Sequence, residues 1–389
     1  MTVHAKLSAS SAYRWIHCPG SVSLCAKFPD TTSDFAREGS YAHAIAEQKL
    51  LAYKGDITKA TCTRRINKLT DTDEKEEWKK EAMRHTDTYL DYVNQVALSV
   101  AVAPFIVAEK RVDFSAYVPE GFGTADCLIF LGDELHVVDF KYGKGVAVDA
   151  EDNPQLKLYA LGAIHDYALI YGGITKVKLA IVQPRLNIIS EWGLTADELR
   201  AWGETIKPIA QEAFEGSPTC KAGDWCRFCN AKVECKARAE HYAAVALMPR
   251  HDPRLMTNDD LAGYILITEG MDKWMKEIKE LALTKCLNGE DINGYKAVAG
   301  RSTRSFTDMD EAFNVLMRHG IDEAILYERT PLTLAKVEKV VGKKEFNALV
   351  GDYIIKSEGK PTLVPVTDKR EAITNQQSAS DVFTIVKGE

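Results

Sequence analysis

Two aspartates interrupt apolar, strand-like segments within residues 123–145, which read GTADCLIFLGDELHVVDFKYGKG. If Gly132 and Asp133 form a two-residue turn, which glycine at the first position favours as type II′, the two strands pair so that Asp126 faces Asp139. Opposed residues have Cβ atoms about 5 Å apart, so the two carboxylates repel each other. Because Mg²⁺ commonly binds one or two carboxylates together with water and phosphate oxygens, the spacing predicts a divalent-cation site on this hairpin.

Lys141 follows Asp139 by two residues, so strand alternation puts both side chains on one face. Beside a bound cation, an ammonium can orient an attacking water or neutralise charge that grows on a phosphate. The alternative is an exposed hairpin end whose aspartate and lysine form an ordinary ion pair. Apolar neighbours on both faces indicate a buried sheet and favour the catalytic interpretation; they are Leu128, Phe130, Leu135 and Val137 on one face and Cys127, Ile129, His136, Val138 and Phe140 on the other.

Three cysteines have C-x2-C-x5-C spacing within CKAGDWCRFCNAKVEC, namely Cys226, Cys229 and Cys235. An odd total of nine cysteines without a secretory signal argues against a disulfide framework and favours metal ligation. Three soft ligands need a fourth to complete a tetrahedral or cuboidal site, and Cys220 is one candidate. The other cysteines are expected to be ordinary small apolar residues: Cys25, Cys62, Cys127 and Cys286.

The composition is that of a soluble globular protein, with 389 residues, 46% hydrophobic and 27% charged. No apolar run approaches the roughly 18 residues of a membrane span, and the first residues lack a signal-peptide core, so we expect a cytoplasmic protein with no membrane partner. The net charge of −7 does not indicate a protein that coats nucleic acid. An enzyme that holds DNA in one local groove needs no overall basic surplus.

Hydrophobic periodicity predicts helices and strands that alternate as in an α/β or α+β fold with a central mixed sheet. The predicted helices cover 9–27, 37–53, 72–98, 153–170 and 195–214, and the predicted strands cover 105–114, the two hairpin strands and 176–186.

Pro249 and Pro253 interrupt the helical pattern at residues 247–255. We therefore expect one domain at 1–246 and a second, mainly helical domain at 250–366. Helices in the second are predicted near its start, at 309–319 and at 332–350. The polar segment 367–389 is expected to be a flexible tail.

The hairpin residues resemble the motifs of the PD-(D/E)xK nuclease superfamily. G-x-x-D corresponds to residues 123–126, and D-x-K to residues 139–141. Within EGSYAHAIAE, residues 39–43 are similar to the G-x-x-x-H helix motif of the RecB-like branch, which implies that His43 ligates the metal, with Glu47 one helical turn on. A lone helical histidine is otherwise more often a structural hydrogen-bond partner.

Further residues match the same branch in chain order. Gln155 and Tyr159 are similar to its Q-x-x-x-Y motif, which implies that they bond DNA phosphate or position the lysine; the alternative is a polar helix edge. Glu109 corresponds to an acidic residue beside the active site, or is a surface residue paired with Lys110 or Arg111. Arg185, after the strand ending AIVQP, is a candidate contact to backbone phosphate.

The cysteines are similar to those of CRISPR-associated four-cysteine exonucleases and the AddB nuclease domain. In those proteins a lone N-terminal cysteine joins three C-terminal ones around a 4Fe-4S cluster, and Cys18 in YRWIHCPGS matches the lone cysteine. The resemblance implies an iron-sulfur staple between the first helix and the end of the nuclease domain. Structural Zn²⁺ is the alternative.

Together these similarities imply a restriction-endonuclease-like α/β fold and a Mg²⁺- or Mn²⁺-dependent deoxyribonuclease, an exonuclease acting on DNA ends or single strands. Asp126, Asp139, His43 and the Phe140 backbone carbonyl would hold the metal. The C-terminal region resembles an uncharacterised phage and prophage family, which implies phage DNA replication or recombination, with other phage proteins as partners, in the host cytoplasm. Two other classes stay open: a DNA-binding module with weak or no cleavage, and a phage adaptor or assembly protein.

Overall fold

The computed structural model describes residues 5–28, 34–70, 72–100, 102–244, 256–268, 270–298, 309–319 and 342–350, with Asp322 and Leu326. The chain divides into two compact units, Met1–Val298 and Ala299–Glu389. No described helix is both long enough and apolar enough to cross a membrane.

A five-stranded mixed sheet is the centre of the first unit. Its strands are β1 (Phe105–Asp113), β2 (Phe122–Leu131), β3 (Glu134–Phe140), β4 (Lys176–Gln183) and β5 (Ile188–Thr195). They lie in chain order across the sheet; β3 and β4 are parallel, and the other neighbours are antiparallel. The parallel pair requires a crossover, which a helix between β3 and β4 provides.

Helices cover both faces of the sheet, as expected for an α/β fold. The helices of the first unit are α1 (Ala12–His17), α2 (Ser21–Cys25), α3 (Asp34–Lys54), α4 (Lys59–Leu69), α5 (Asp73–Ala97), α6 (Pro154–Asp166), α7 (Ala168–Tyr171), α8 (Ala196–Glu215), α9 (Lys236–Ala243), α10 (Asn258–Thr268) and α11 (Met271–Leu287). One core cluster joins the sheet to α1, α6 and α8, and a second joins the opposite face to α3, α4 and α5. The predicted central sheet with flanking helices is therefore confirmed.

The β2–β3 hairpin has the predicted register. Leu131 pairs with Glu134, and the ladder continues to Cys127 opposite Val138. Gly132 has φ 61°, while Asp133 has no positive φ, as a type II′ turn requires. The predicted turn is thus confirmed, and Asp126 and Asp139 lie one residue beyond the last of these pairs.

In both β1 and β2 the alternation of side chains between the two faces of the sheet is broken, at Glu109 and at Asp126, which lie opposite each other. Ala125 and Leu128 belong to one core cluster, although simple alternation would put them on opposite faces, and Cys127 belongs to the other. On β1, Glu109 has φ 44° in the left-handed region and is skipped in a ladder that otherwise keeps its register. The strands are therefore distorted where Glu109 lies opposite Asp126, and the assumption of unbroken alternation through Asp126 was wrong.

Local sequence signals explain the helix that carries the crossover. Asn153 caps α6 by accepting hydrogen bonds from Gln155 N and Leu156 N, and Pro154 occupies its first turn. At the start of α8, Thr195 and Glu198 form a capping box. These caps fix the direction in which each helix leaves the sheet.

Three elements of the first unit were not predicted: α4, β5 and α9. Arg238 of α9 forms a 2.6 Å ion pair with Glu277 of α11. The expected boundary at 247–255 falls on residues outside the described part of the chain and stays a prediction.

In the second unit the described helices are α12 (Met309–Arg318) and α13 (Lys343–Val350). The first coincides with the predicted helix at 309–319. Of the helix predicted at 332–350, only 342–350 is described, and the expected tail at 367–389 lies outside the described residues.

Candidate active site

The candidate site lies at the middle of β2 and the C-terminal end of β3, with α3 on one face of the sheet and α6 on the other. Gly123 belongs here because the Tyr159 ring of α6 packs directly on it: a Cβ at this position would lie 2.7 Å from the ring. A side chain at Gly123 would push α6 away from the strand that carries Asp126. This contact explains the glycine of the G-x-x-D segment.

The side chains of His43, Glu109 and Asp126 form one compact group. Their ligand atoms all lie within 4.8 Å of one another, and this is the single such group of three histidine, cysteine or acidic residues among the described parts of the chain. His43 Nδ1 lies 3.5 Å from Asp126 Oδ1, while the Phe140 backbone N–H donates to Asp126 Oδ2 at 2.7 Å. Nitrogen and carboxylate donors in this arrangement suit a divalent cation.

Burial affects the pKa values of His43 and Glu109, and the negative charges of neighbouring carboxylates raise both. Burial raises the pKa of Glu109, and the charges of Asp126 and Glu47 raise it further, to about 8. Burial alone would lower the pKa of His43, but the charge and hydrogen bond of Asp126 outweigh it and raise the pKa to about 9. Burial opposes ionisation of Asp126, yet the adjacent His43 holds its pKa below the usual range. Because the cluster takes up protons to balance its carboxylates, a cation fits it electrostatically.

Asp139 has a different set of partners, on the α6 side of the sheet. Its Oδ2 lies 2.9 Å from Lys141 Nζ, and its Oδ1 accepts a 3.1 Å hydrogen bond from Gln155 Nε2. Lys141 Nζ also donates to Gln155 Oε1 at 3.0 Å, and Gln155 Nε2 lies 3.2 Å from Tyr159 Oη. The amide of Gln155 therefore holds both members of the Asp139–Lys141 pair.

The ammonium of Lys141 is charged and partly accessible. Burial lowers the pKa of Lys141, but Asp139 and Asp126 outweigh it and raise the pKa above the usual value. Burial and the charge of Asp126 raise the pKa of Asp139, against the opposing effect of Lys141. The Lys141 side chain is 28% exposed, whereas that of Asp139 is 3% exposed. Of this pair, the Lys141 side chain is therefore the more accessible member.

The predicted residues therefore divide into two adjoining subsites. His43, Glu109 and Asp126 form the cation subsite, and Asp139, Lys141, Gln155 and Tyr159 form the lysine subsite. Asp139 contacts Lys141 and Gln155. The prediction that Asp126 and Asp139 share one cation stays a prediction. Glu47 acts on the cation subsite through its charge. The Phe140 backbone N–H donates to Asp126, and the Phe140 ring lies 5.2 Å from the His43 ring.

Arg185 is not brought to either subsite. Its guanidinium donates to Glu38 at 2.8 Å and to Glu81 at 3.4 Å, and it lies over the Tyr142 ring at 4.4 Å. The side chain is 5% exposed, so these contacts occupy it as a link between α3, α5 and the end of β4. The expected contact to a phosphate has no support from this geometry.

The cysteines meet at a second centre. Cys18, Cys220, Cys226, Cys229 and Cys235 line one small cavity of about 10 Å³, together with Arg14, Lys221 and Lys232. The Lys221 backbone N–H donates to Cys18 Sγ at 3.3 Å, which joins the start of the chain to the segment after α8. Soft sulfur donors surrounded by cationic side chains suit a thiolate-ligated metal group.

Cys25 also belongs to this centre, against the expectation of an ordinary apolar residue. Its Sγ lies 3.4 Å from that of Cys229. The hydrogen bond with Cys229 is the main cause that lowers the pKa of Cys25, to about 5, while it raises that of Cys229. Burial and the charges of Cys18 and Cys235 raise the pKa of Cys220 to about 11. Six cysteines, rather than four, are therefore gathered here.

The chain belongs to the family described as Protein of unknown function (DUF2800), whose model matches residues 4–371. Among solved structures, one titled "Crystal structure of SSO0001" aligns over 57% of this chain and 95% of its own chain, with 12% identity and a TM-score of 0.26. A TM-score this low does not establish a shared fold.

Proposed function

We propose that this protein is a divalent-cation-dependent DNA nuclease with a restriction-endonuclease-like fold, related to the RecB-like branch of the PD-(D/E)xK superfamily. The observation that carries the proposal is the cation subsite of His43, Glu109 and Asp126 next to a charged lysine. Hydrolysis of a phosphodiester needs these two elements: a cation for the phosphate oxygens and a second positive group for the charge that develops.

Bound at the cation subsite, Mg²⁺ or Mn²⁺ would be held by His43, Glu109 and Asp126 and would polarise the scissile phosphate and activate a water molecule. Lys141 stays protonated at neutral pH because its pKa is raised, so it donates hydrogen bonds to substrate rather than accepting a proton. Asp139 and Gln155 hold its ammonium from two sides, at 2.9 and 3.0 Å. Tyr159 supports the Gln155 amide.

The substrate class and setting follow from the sequence motifs. Their order resembles exonucleases that act on DNA ends or single strands, and the C-terminal similarity suggests phage replication or recombination. We therefore propose an exonuclease that works with other phage proteins in the host cytoplasm.

We also propose that Cys18, Cys226, Cys229 and Cys235 hold a 4Fe-4S cluster. Tetrahedral zinc with Zn–S bonds of about 2.3 Å would bring its sulfurs to roughly 3.8 Å from one another. Among described residues, no group of three cysteines meets even a 4.8 Å limit. No three of these sulfurs are therefore spaced as tetrahedral zinc requires, and the resemblance to four-cysteine exonucleases favours the iron-sulfur cluster. Iron and acid-labile sulfide in a brown protein, lost in Cys229→Ala, are expected; stoichiometric zinc without iron would contradict the cluster.

The nuclease proposal is tested with 5′- and 3′-end-labelled single- and double-stranded DNA in Mn²⁺, Mg²⁺ or EDTA. We expect cation-dependent cleavage that Asp139→Asn abolishes. Asp133→Asn is the matched control, because Asp133 lies in the turn of the same hairpin, away from both subsites, and should cleave like the parent. Retained DNA binding without cation-dependent cleavage would instead support a binding module.

A further inference from the structure

A row of aromatic side chains lies on the surface of the first unit, beside the cysteine centre. His17 of α1 stacks on Trp225 with ring centroids 4.7 Å apart and an interplanar angle of 16°. Tyr13, one helical turn before His17, lies 4.7 Å from the His17 ring and 6.3 Å from that of Trp225. Tyr13 is 47% exposed, so the row is open to solvent. We call these three residues the aromatic row.

The cysteine centre determines where the row lies. His17 and Trp225 directly precede Cys18 and Cys226, so the residues that line the sulfur cavity bring the two rings together. Trp225 Nε1 donates to the Lys221 carbonyl at 2.8 Å. A Cβ on Gly223 would lie 2.5 Å from the indole, so glycine is needed for this ring position. The hydrogen bond to Lys221 and the packing on Gly223 thus hold the Trp225 ring in place.

The surrounding charge favours an anionic partner. Residues 220–238 contain five basic and two acidic side chains, a local surplus of +3 in a chain of net charge −7. Phe228 is 72% exposed, with the Arg227 guanidinium 5.7 Å from its ring. Burial and the charge of Asp224 raise the pKa of the Tyr13 hydroxyl. Glu277 pairs with Lys232 and Arg238. Lys221 and Arg227 are the basic residues within four positions of Trp225 in the sequence.

The row also adjoins the active-site strand. The short 3₁₀ turn Ala9–Ser11 leads directly into α1, and a Cβ on Gly123 would lie 3.5 Å from the Ala9 side chain. Gly123 is three residues before Asp126 on β2. From helix and strand rises, Tyr13 and Asp126 are separated by at most roughly 25 Å. One bound strand can span that distance.

We infer that the aromatic row stacks the bases of single-stranded nucleic acid, with Lys221 and Arg227 contacting its phosphates. Alternating aromatic and basic side chains are how sequence-tolerant proteins bind single strands, because every base has a face to stack. Duplex DNA hides those faces. This inference rests on the proposed nuclease function for its biological meaning and adds a substrate preference, namely an unpaired strand leading to the active site.

The test measures fluorescence anisotropy of a labelled 15-nucleotide single strand with full-length Asp139→Asn protein in EDTA. Stacking contributes about 1–3 kcal/mol per base, so we expect Tyr13→Ala or Trp225→Ala to weaken binding by about 5- to 150-fold. Trp225→Phe keeps a ring and should stay within about threefold of the parent. Tyr295→Ala is the matched control, since Tyr295 is 75% exposed outside the row and its loss should change nothing. An abasic strand of equal length should bind parent and variants alike.

Binding is measured in EDTA, so this result does not depend on whether the protein is a nuclease. Conversely, if the aromatic row does not bind single strands, the proposed cleavage chemistry is unaffected. No measurable affinity of the parent for single strands, or alanine variants that bind like the parent, would overturn the inference and leave the row for a protein partner. If Trp225→Ala loses the cysteine-bound metal, Tyr13→Ala decides, because Tyr13 is five residues from Cys18.

Discussion

Because Glu109 has a left-handed backbone, we expect Glu109→Gly to be more stable than Glu109→Ala, the reverse of the order at an ordinary strand position. Its φ of 44° costs an L-residue about 1–2 kcal/mol, because Cβ crowds the following carbonyl. Glycine lacks Cβ and avoids that cost. At an ordinary strand position glycine is instead worse than alanine by about 0.5–1 kcal/mol.

Glu109→Gly and Glu109→Ala both delete the carboxylate and its repulsion by Asp126 and Glu47, so the difference between them isolates the backbone. At the midpoints of these two ranges, the relief of strain exceeds the entropy cost of glycine and leaves Glu109→Gly more stable than Glu109→Ala by about 0.75 kcal/mol. For a unit of this size the difference corresponds to about 1–4 °C in Tm. Both variants should lose cation affinity, since both lack a ligand of the cation subsite.

The assay is thermal unfolding followed by circular dichroism in EDTA. The neighbouring pair Lys110→Gly and Lys110→Ala is the control, because Lys110 lies in the same strand without a positive φ. There alanine should be the more stable variant. If Glu109→Ala is as stable as Glu109→Gly or more so, the strain at Glu109 does not exist and the argument for a distorted site is refuted.

Three further outcomes follow from the contacts described. Lys141→Gln should lower the cleavage rate about 100-fold or more, while calorimetry should show unchanged Mn²⁺ affinity. If the variant also loses Mn²⁺ affinity, Lys141 does not act only within the lysine subsite. Burial raises the pKa of Glu277, but its hydrogen bonds and ion pairs with Lys232 and Arg238 outweigh this and lower it. Because the folded-state pKa is lowered, Glu277 contributes stability above its unfolded pKa of about 4.3, and this stability is lost as the pH falls through the folded-state pKa. Glu277→Gln should therefore lower Tm at pH 7 and flatten its decline in acid, and an unchanged acid profile would contradict the pairing. Arg185→Lys cannot reproduce the forked contact to two carboxylates and should lower the free energy of unfolding by about 1–3 kcal/mol in urea titrations, whereas a selective loss of DNA affinity at unchanged stability would restore a phosphate contact.

The hairpin and the crossover helix were predictable because local chemistry determines them. Gly132 supplies the positive φ of a two-residue turn, and the turn sets the register of everything that follows it. Asn153 and Pro154 mark the start of α6, which puts Gln155 and Tyr159 on one face of that helix. Where the local signal is this strong, tertiary contacts only reinforce it.

The division into two subsites was not predictable, because nothing in the identity of Glu109 signals a left-handed backbone. Strand alternation is a rule for regular strands, and one distorted level moves Asp126 towards α3 while Asp139 keeps its side of the sheet. The edge strand β5 was missed because its side chains alternate between half-buried and exposed, with Ser190, Glu191 and Gly193 diluting the apolar pattern. The place of Cys25 in the cysteine centre was not predicted, because its neighbour Cys229 is distant in sequence.

Anomalous diffraction from crystals soaked in Mn²⁺ tests whether His43, Glu109 and Asp126 hold the cation that cleaves DNA. A strong Mn²⁺ peak is expected among these three side chains, within bonding distance of Asp126, with Lys141 beside it and not bound to it. A peak at another position, or none at a concentration of Mn²⁺ that supports cleavage in solution, would contradict it.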